Sequence, residues 1–135
     1  MNTAIFYMSR TGNTKRFAQA IADQTKAPIH DITITEPSET AKFDLLFFGT
    51  PVEGASPTKE TTAFIDATPA LNGKKAVLFV TYRFFGNKRT MNAMEKKLKQ
   101  KGCETVLMVS KKGMKPENTS VDFSEALAEI KQVLG

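Results

Sequence analysis

The sequence predicts an α/β protein in which a mainly parallel sheet is covered by helices on both faces. Short apolar runs rich in β-branched and aromatic residues alternate along the chain with segments that have the 3.6-residue period of a helix. Most of the runs are continuously apolar, which is typical of strands that are buried on both faces. This alternation indicates a doubly wound sheet.

Five segments are predicted to be strands. Four are clearly apolar, and they are Ala4–Met8, Leu45–Phe48, Ala76–Val80 and Thr105–Val109. The fifth is Ile29–Ile34, in which Ile32 and Ile34 alternate with polar residues, so it is expected at the edge of the sheet. A chain of 135 residues has the usual size of one domain, and we expect a single domain over residues 1–135.

Four segments are predicted to be helices. Three are Thr14–Lys26, Lys88–Lys101 and Asp122–Leu134, where Asp122 and Glu125 have capping-box spacing. The fourth is expected to use Ser56 as its N-cap and Pro57 as its first residue, and to reach Ala67. The link 36–42 is short and contains Pro37, and the sequence leaves open whether it forms a short helix.

The composition excludes several classes of protein. Apolar residues make up 41% and charged residues 24%, as in ordinary globular proteins. No apolar run approaches the roughly 20 residues that span a bilayer, and the first strand leaves no room for a signal peptide before it. A single cysteine, Cys103, cannot form an intrachain disulfide. We therefore expect a cytoplasmic protein that does not insert into membranes.

Positive charge is concentrated in the second half of the chain. Residues 1–70 have a net charge of −2 and residues 71–135 a net charge of +7, mostly between Arg83 and Lys115. A one-sided basic surface attracts acidic partners, but a solvated helix face would have the same composition. Nucleic acid is disfavoured as the partner, because the aromatic residues lie in one loop and are not interleaved with the basic ones.

The loop after the first strand has the composition of a phosphate-binding loop. Ser9-Arg10-Thr11-Gly12-Asn13-Thr14 offers three hydroxyls, one amide and one glycine at the start of a helix. Backbone N–H groups and the helix dipole favour an anion at such a position, and a glycine lets the backbone wrap closely around it. A capped helix start without a ligand needs fewer residues of this type.

This loop resembles the phosphate loop of the flavodoxin family, Ser/Thr-x-Thr-Gly-x-Thr, and the resemblance extends over nearly the whole chain. Phe48-Gly49-Thr50-Pro51-Val52 is similar to the family's second loop, and Lys74 to Tyr82 with Gly86-Asn87 is similar to its fourth strand and third loop. The resemblance implies a three-layer αβα sandwich with a five-stranded parallel sheet in the order 2-1-3-4-5, and FMN as the cofactor.

The resemblance also implies which residues contact FMN. The side chains of Ser9, Thr11, Asn13 and Thr14 and the N–H groups from Arg10 to Thr14, including Gly12, would hold the phosphate. Thr50, Pro51, Val52, Glu53 and Gly54 would lie on one side of the isoalloxazine ring. Thr81, Tyr82, Arg83, Phe84, Phe85, Gly86 and Asn87 would lie on the other. An aromatic residue among Tyr82, Phe84 and Phe85 is expected to stack on the ring, with Tyr82 slightly favoured.

The sequence departs from the family in its charge and in its second loop. Val52-Glu53 stands where many flavodoxins have an aromatic residue, and Arg83, Lys88 and Arg89 stand where flavodoxins are typically acidic. These differences bear on the redox potential and on the partner, for which we expect a redox protein with an acidic docking face.

Other kinds of site are poorly supported by the sequence. The segment 49–56 has the glycine spacing of a nucleoside triphosphate-binding loop, but Ala55 replaces its lysine. With one histidine and one cysteine, a zinc site or a His-dependent nucleophile is not expected. His30 is expected at the surface, and Cys103 is expected to begin the fifth strand as a buried residue.

Three functions therefore remain open. The favoured one is an electron carrier that shuttles electrons between partners through bound FMN. The second is a small FMN-dependent reductase or oxidase that acts on a quinone- or porphyrin-like substrate. The third is an interaction module without flavin. The sequence does not decide whether the protein is an enzyme, and it names no catalytic residue.

Overall fold

The computed structural model describes residues 2–113 and 121–134, and Lys115 lies outside these residues. The strands in the described part are β1 (Thr3–Tyr7), β2 (Ile29–Asp31), β3 (Leu45–Glu53), β4 (Ser56–Pro57), β5 (Lys75–Tyr82) and β6 (Glu104–Lys112). The α-helices are α1 (Asn13–Thr25), α2 (Lys59–Ala67), α3 (Asn87–Gln100) and α4 (Ser124–Leu134), and two 3-10 helices span Ile32–Ile34 and Pro37–Lys42. No helix in these residues is long and apolar enough to cross a membrane.

The described strands form one sheet in the order β2-β1-β3-β5-β6, and all four of these pairings are parallel. The two-residue strand β4 pairs only with the end of β3, in antiparallel fashion. Without β4 this is the predicted five-stranded order, which is therefore confirmed. β1, β3 and β5 are neighbours, so the loops that follow them meet at one edge of the sheet.

Each face of the sheet has its own hydrophobic core. On one face Phe6, Phe48 and Leu78 pack with Met94 of α3 and Phe64 of α2. The other face contains Ile5, Phe47 and Phe79 together with Phe17 of α1 and Ile130 of α4. Neighbouring residues of one strand, such as Ile5 and Phe6, thus face different cores. The continuously apolar runs are explained by burial on both faces, and the three-layer prediction is confirmed.

A close approach between β3 and β5 depends on a glycine. Gly49 is paired with Phe79 in the register of the two strands. A Cβ atom built on Gly49 would lie 2.1 Å from two atoms of the Phe79 ring, and Phe79 is fully buried. The ring therefore occupies the space that a side chain at position 49 would need.

The predicted strand Ile29–Ile34 is wrong in its second half. Only Ile29–Asp31 is a strand, and Ile32–Ile34 form a 3-10 helix. The Asp31 carboxylate accepts hydrogen bonds from the Thr33 N–H at 2.9 Å and the Thr33 hydroxyl at 2.7 Å. These local bonds compete with the sheet ladder. The edge position of the strand is confirmed.

The predicted start of α2 is also wrong. Thr58, not Ser56, is the N-cap, because its hydroxyl accepts a hydrogen bond from the Thr61 N–H at 3.1 Å. Ser56 and Pro57 instead pair with Glu53 and Val52 of β3. Pro57 satisfies the sequence rule for a first helical residue, but the chain must first turn back along β3 before the helix can begin.

His30 is less exposed than the sequence suggests. Its ring is stacked on Phe6, with the centroids 5.0 Å apart, and no hydrogen-bond partner for its buried Nε2 is found in the described residues. Cys103 directly precedes β6 and is 2% exposed. Burial raises the pKa of the Cys103 thiol to about 11, so it stays protonated at neutral pH.

Candidate functional site

A cleft of about 230 Å³ lies at the carboxyl edge of the sheet, where the loops after β1, β3 and β5 meet. It is lined by Arg10, Thr11, Asn13, Pro51, Val52, Glu53, Thr81, Tyr82, Arg83 and Gly113. A larger cavity of about 360 Å³ lies between β6 and α4. Ligands of open parallel sheets bind where the strand order reverses, and that criterion selects the smaller cleft.

The first loop is wound around the start of α1. Gly12 is the N-cap, with a left-handed φ of 93°, and no acidic residue lies in the first turn. The Ser9 hydroxyl accepts hydrogen bonds from the N–H groups of Gly12 and Lys15, each at 3.2 Å. The first N–H groups of a helix have no acceptor within the helix. Thr11 and Asn13 of this loop line the cleft, whereas Ser9, Gly12 and Thr14 do not, and the positive end of the helix dipole lies at the loop.

Two residues of this loop also hold neighbouring parts of the site. The Thr14 hydroxyl is 2.7 Å from the Thr81 hydroxyl at the end of β5, and both residues are buried. The Asn13 amide oxygen accepts a hydrogen bond from Arg16 at 2.6 Å. A Cβ on Gly113 would lie 2.7 Å from the Asn13 amide nitrogen. The first loop is thus packed against the end of β5 and against Gly113, the residue that follows β6.

Arg10 lines the cleft and joins the first loop to two acidic residues. Its guanidinium donates to Glu53 at 2.5 and 3.1 Å and to both oxygens of Glu60 at 2.9 Å. These contacts raise the pKa of Arg10, first through the hydrogen bond with Glu53. They lower the pKa of Glu60, first through its hydrogen bond with Arg10. One cation therefore connects the first loop, the second loop and α2.

The Arg10–Glu60 contact predicts a stability difference that depends on pH. A carboxyl whose pKa is lowered by folding contributes stability above its unfolded pKa and loses it as the pH falls through the folded value. We expect Glu60→Gln to reduce the free energy of unfolding at neutral pH, and the difference from the parent to vanish at acidic pH. The effect should be small because the pair is exposed.

Urea unfolding of the flavin-free proteins over a pH series measures this difference. Glu39→Gln is the matched control, since Glu39 pairs with Lys42 at 2.6 Å outside the cleft. A difference between parent and Glu60→Gln that does not change with pH would contradict a role for the Glu60 charge.

The second loop is held in place by hydrogen bonds of buried hydroxyl groups. The Thr50 hydroxyl accepts hydrogen bonds from the Thr61 hydroxyl at 3.0 Å and from the Thr58 N–H at 3.4 Å, and it donates to the Pro51 carbonyl at 2.9 Å. Thr50 is fully buried and does not line the cleft. Pro51, Val52 and Glu53 do line it, whereas Gly54, with a left-handed φ of 57°, does not. The side chain of Thr50 thus supports the loop rather than facing the cleft.

The aromatic residues of the third loop lie in different environments. Tyr82 is half-buried and lines the cleft together with Arg83. Phe84 and Phe85 are 66% and 74% exposed and do not line it. Of the three aromatic residues, the structure brings Tyr82 alone to the cleft.

The third loop is fixed in place by the start of α3. Gly86, the N-cap, has a left-handed φ of 94°, and a Cβ there would lie 2.8 Å from the Ala55 Cα and 3.1 Å from a Val52 methyl. Asn87 donates to the Ser110 hydroxyl at 2.9 Å. The second and third loops are therefore in direct contact, and Gly86 and Asn87 hold the backbone rather than line the cleft.

Lys97 of α3 and Lys101, which directly follows the helix, are bound to the end of α2. The Lys97 ammonium pairs with Asp66 at 2.9 Å, and the Lys101 ammonium donates to the carbonyls of Asp66 and Thr68 at 2.9 and 2.7 Å. These contacts satisfy the carboxyl end of α2. The cations Lys88 and Arg89, at the start of α3, are exposed.

Sequence reasoning missed two contributors to the site. Gly113 lines the cleft, and its N–H donates to the Tyr82 carbonyl at 2.8 Å. Its place directly after β6, at the carboxyl end of a strand, was the available signal. Glu60 holds Arg10 from a position 50 residues away in sequence, and no local pattern marks it.

The donor set fits FMN. Hydroxyl and N–H donors at the start of α1 suit a phosphate dianion without requiring a lysine or arginine side chain. Pro51 and Val52 on one side of the cleft and Tyr82 on the other offer apolar and aromatic surfaces of the kind that binds a planar ring.

Known proteins share both the sequence pattern and the fold. Residues 4–126 match the family model for the flavodoxin domain. A flavodoxin of Clostridium beijerinckii is 28% identical over 93% of this chain and 99% of its own length. A flavodoxin of Megasphaera elsdenii is 30% identical over 76% of this chain and 80% of its own length.

A solved structure of a flavodoxin shares the fold of this chain. The structure of the flavodoxin of Streptococcus pneumonia TIGR4 superposes with a TM-score of 0.79 at 19% identity, and all of both chains is covered. Homologues in the family bind FMN, so the cofactor expected from the sequence is confirmed. Because the domain model covers most of the residues and the relatives match over most of their length, the chain belongs to the flavodoxin family.

Proposed function

We propose that the cleft binds FMN and that the protein carries electrons between redox proteins. The observation that carries this proposal is the first loop, which wraps its hydroxyls and N–H groups around the start of α1 with Gly12 in the left-handed conformation. In the proposal, Ser9, Thr11, Asn13 and Thr14 hold the phosphate together with the N–H groups from Arg10 to Thr14. The ring lies between the second and third loops.

The residues around the ring are proposed to bind and orient it. Val52 and the backbone of the second loop cover one face, and Tyr82 covers the other. When bound, FMN supplies the redox chemistry, so the protein needs no side chain that acts as an acid or a base. Thr50, Gly54, Gly86 and Asn87 support the loops that contact the ring.

A small FMN-dependent reductase or oxidase is the second candidate. The observation in its favour is the half-buried Val52, an aliphatic residue that covers less of a flavin ring than an aromatic residue would. Such a face leaves more room for a quinone- or porphyrin-like substrate.

Two measurements test these proposals. The purified protein, supplied with FMN, should show the flavin absorbance at about 450 nm. Its absence would contradict FMN binding and favour an interaction module without flavin. The second measurement distinguishes a carrier from an enzyme. Photoreduced protein is mixed anaerobically with a quinone, and the rate of flavin reoxidation is followed. An enzyme gives reoxidation that saturates with quinone concentration, and a carrier does not.

The partner is proposed to be a redox protein with an acidic docking face. Arg83, Lys88 and Arg89 are exposed next to the cleft, and exposed charges steer association with partners of opposite sign. We also propose a cytoplasmic setting, because Cys103 is a free thiol and the chain has no second cysteine to form a disulfide.

Tyr82 is expected to be the residue that stacks on the flavin. Tyr82→Ala should weaken the binding of FMN and of riboflavin alike, because aromatic stacking contributes about 0.5–1.5 kcal/mol beyond burial and does not involve the phosphate. Fluorescence titration measures both affinities and the quenching of the bound flavin. Phe84→Ala and Phe85→Ala should leave both unchanged, and an effect confined to either of them would place the ring elsewhere.

Arg83 is expected to influence the second one-electron reduction of the flavin, which adds negative charge to the ring system. Arg83→Glu should lower the potential of that step by about tens of millivolts, since an exposed charge is partly screened. Potentiometric titration measures it. Lys99→Glu makes the same change in charge near the end of α3 and should change the potential less. Equal potentials in Arg83→Glu and the parent would mean that Arg83 lies away from the ring.

A further inference from the structure

The exposed pair Phe84-Phe85 lies beside the cleft but does not line it. Two adjacent aromatic side chains that are 66% and 74% exposed form an apolar surface of the kind that marks an interaction site. The pair follows the cleft residues Tyr82 and Arg83 directly in sequence. Any protein that covers this pair is therefore brought next to the cleft.

The backbone that presents the two phenylalanines is constrained. Gly86 packs against Ala55 and Val52, and the Tyr82 carbonyl accepts a hydrogen bond from Gly113. Both ends of the segment are thus held by other parts of the site. The exposure of Phe84 and Phe85 is a property of a loop that is fixed at both ends.

The surroundings of the pair are positively charged. The guanidinium carbon of Arg83 lies 5.8 Å from the centroid of the Phe84 ring, and Lys88 and Arg89 follow in the first turn of α3, which contains no acidic residue. Within residues 2–113 and 121–134, none of these three cations forms an ion pair. Lys97 and Lys101, by contrast, are bound to the end of α2. Lys96 and Lys99 are also exposed and form no ion pair within the described residues, but they lie farther along α3. Arg83, Lys88 and Arg89 are therefore the unpaired cations nearest in sequence to the two aromatic side chains.

We propose that Phe84 and Phe85, with Arg83, Lys88 and Arg89 around them, form the docking surface for an acidic redox protein. The partner would have an apolar recess edged by carboxylates near its own redox centre. Aromatic residues and arginine are the residue types that contribute most at protein interfaces, and a rim of opposite charge selects the partner. This inference rests on the proposed function, because it assigns the partner of the same cleft.

The experiment measures the affinity of the FMN-loaded protein for an acidic plant-type [2Fe–2S] ferredoxin as the probe. Both proteins are oxidised, so no electron is transferred, and calorimetry at low ionic strength gives the dissociation constant. Phe84→Ser/Phe85→Ser should raise it by at least about tenfold. Ile34→Ser is the matched control, because Ile34 is an exposed apolar residue outside the cleft, at 86% exposure.

Charge is tested on one helix with two matched double variants. Lys88→Glu/Arg89→Glu should weaken ferredoxin binding and reduce its dependence on salt. Lys96→Glu/Lys99→Glu makes the same change in net charge farther along α3 and should weaken it much less. Equal losses in the two variants would indicate diffuse attraction and would overturn the location of the surface.

FMN affinity is measured first for every variant. This measurement distinguishes a failure of the proposed function from a failure of the proposed docking surface. A parent that does not bind FMN contradicts the proposed function. A parent that binds FMN but not the ferredoxin, or a phenylalanine variant that binds ferredoxin like the parent, overturns the docking surface alone. Vesicles of phosphatidylserine and phosphatidylcholine form the last arm. Vesicle binding that requires Phe84 and Phe85, with ferredoxin binding unaffected by them, would assign the surface to a lipid membrane and overturn the proposal.

Discussion

Replacing Thr11 and Thr14 together with alanine should weaken FMN binding by at least about tenfold and barely change riboflavin binding. Thr11 lines the cleft and Thr14 is the second residue of α1. In the proposed complex both hydroxyls donate to the phosphate. A hydrogen bond to a charged group contributes roughly 1.5–3 kcal/mol, whereas riboflavin has no phosphate to lose. Fluorescence titration with the two flavins measures the ratio of their affinities.

Two control variants test whether the loss of FMN affinity comes from the phosphate contacts of Thr11 and Thr14. Thr62→Ala removes a hydroxyl from α2, outside the cleft, and should leave both affinities unchanged. Thr81→Ala removes the partner of the Thr14 hydroxyl but leaves Thr14 itself in place. If Thr81→Ala weakened FMN as much as Thr14→Ala, Thr14 would act by holding the third loop. Equal losses of FMN and riboflavin in the Thr11/Thr14 variant would show that the loop does not bind phosphate.

Gly49→Ala should destabilise the fold by about 1–3 kcal/mol or more. The added Cβ would lie 2.1 Å from the Phe79 ring, between two strands at the centre of the sheet, where neither backbone can move aside easily. Urea unfolding measures the free energy of unfolding. Gly73→Ala is the control, because its Cβ would meet nothing within 4 Å although its φ is 79°. Gly73→Ala should lower the free energy of unfolding only by the cost of the left-handed backbone conformation, about 1–2 kcal/mol.

A second substitution identifies the cause of the loss. Phe79→Leu makes room beside position 49, so Gly49→Ala should cost less in that background than in the parent, and the double-mutant cycle should give a favourable coupling. An additive cycle would mean that the ring and the new methyl group do not collide.

The layers of the fold could be predicted because each central strand is buried on both faces. Such burial leaves a continuous apolar run in the sequence, as in Leu45–Phe48 and Ala76–Val80. The errors occurred where a side chain competes with the backbone pattern. Asp31 ends β2 early through its bonds to Thr33, and Thr58 takes the cap that Ser56 was expected to form.

The site could be predicted as a set of loops but not as a set of side-chain directions. The composition of residues 9–14 is a local signal, and the structure places Thr11 and Asn13 at the cleft. Whether Thr50 faces the cleft or a buried hydroxyl cluster depends on Thr58 and Thr61, which come from a helix that sequence alone does not orient. The exposure of Phe84 depends in the same way on packing between loops.

The two hydrogen bonds to the Ser9 hydroxyl have a consequence for kinetics. The N–H groups of Gly12 and Lys15 already converge on one oxygen, at 3.2 Å each. The segment is therefore organised before a ligand arrives, and binding a phosphate in it does not require a disordered segment to fold. Association should then be fast and follow a single exponential, and the lifetime of the complex, rather than its rate of formation, should account for the differences in affinity among loop variants.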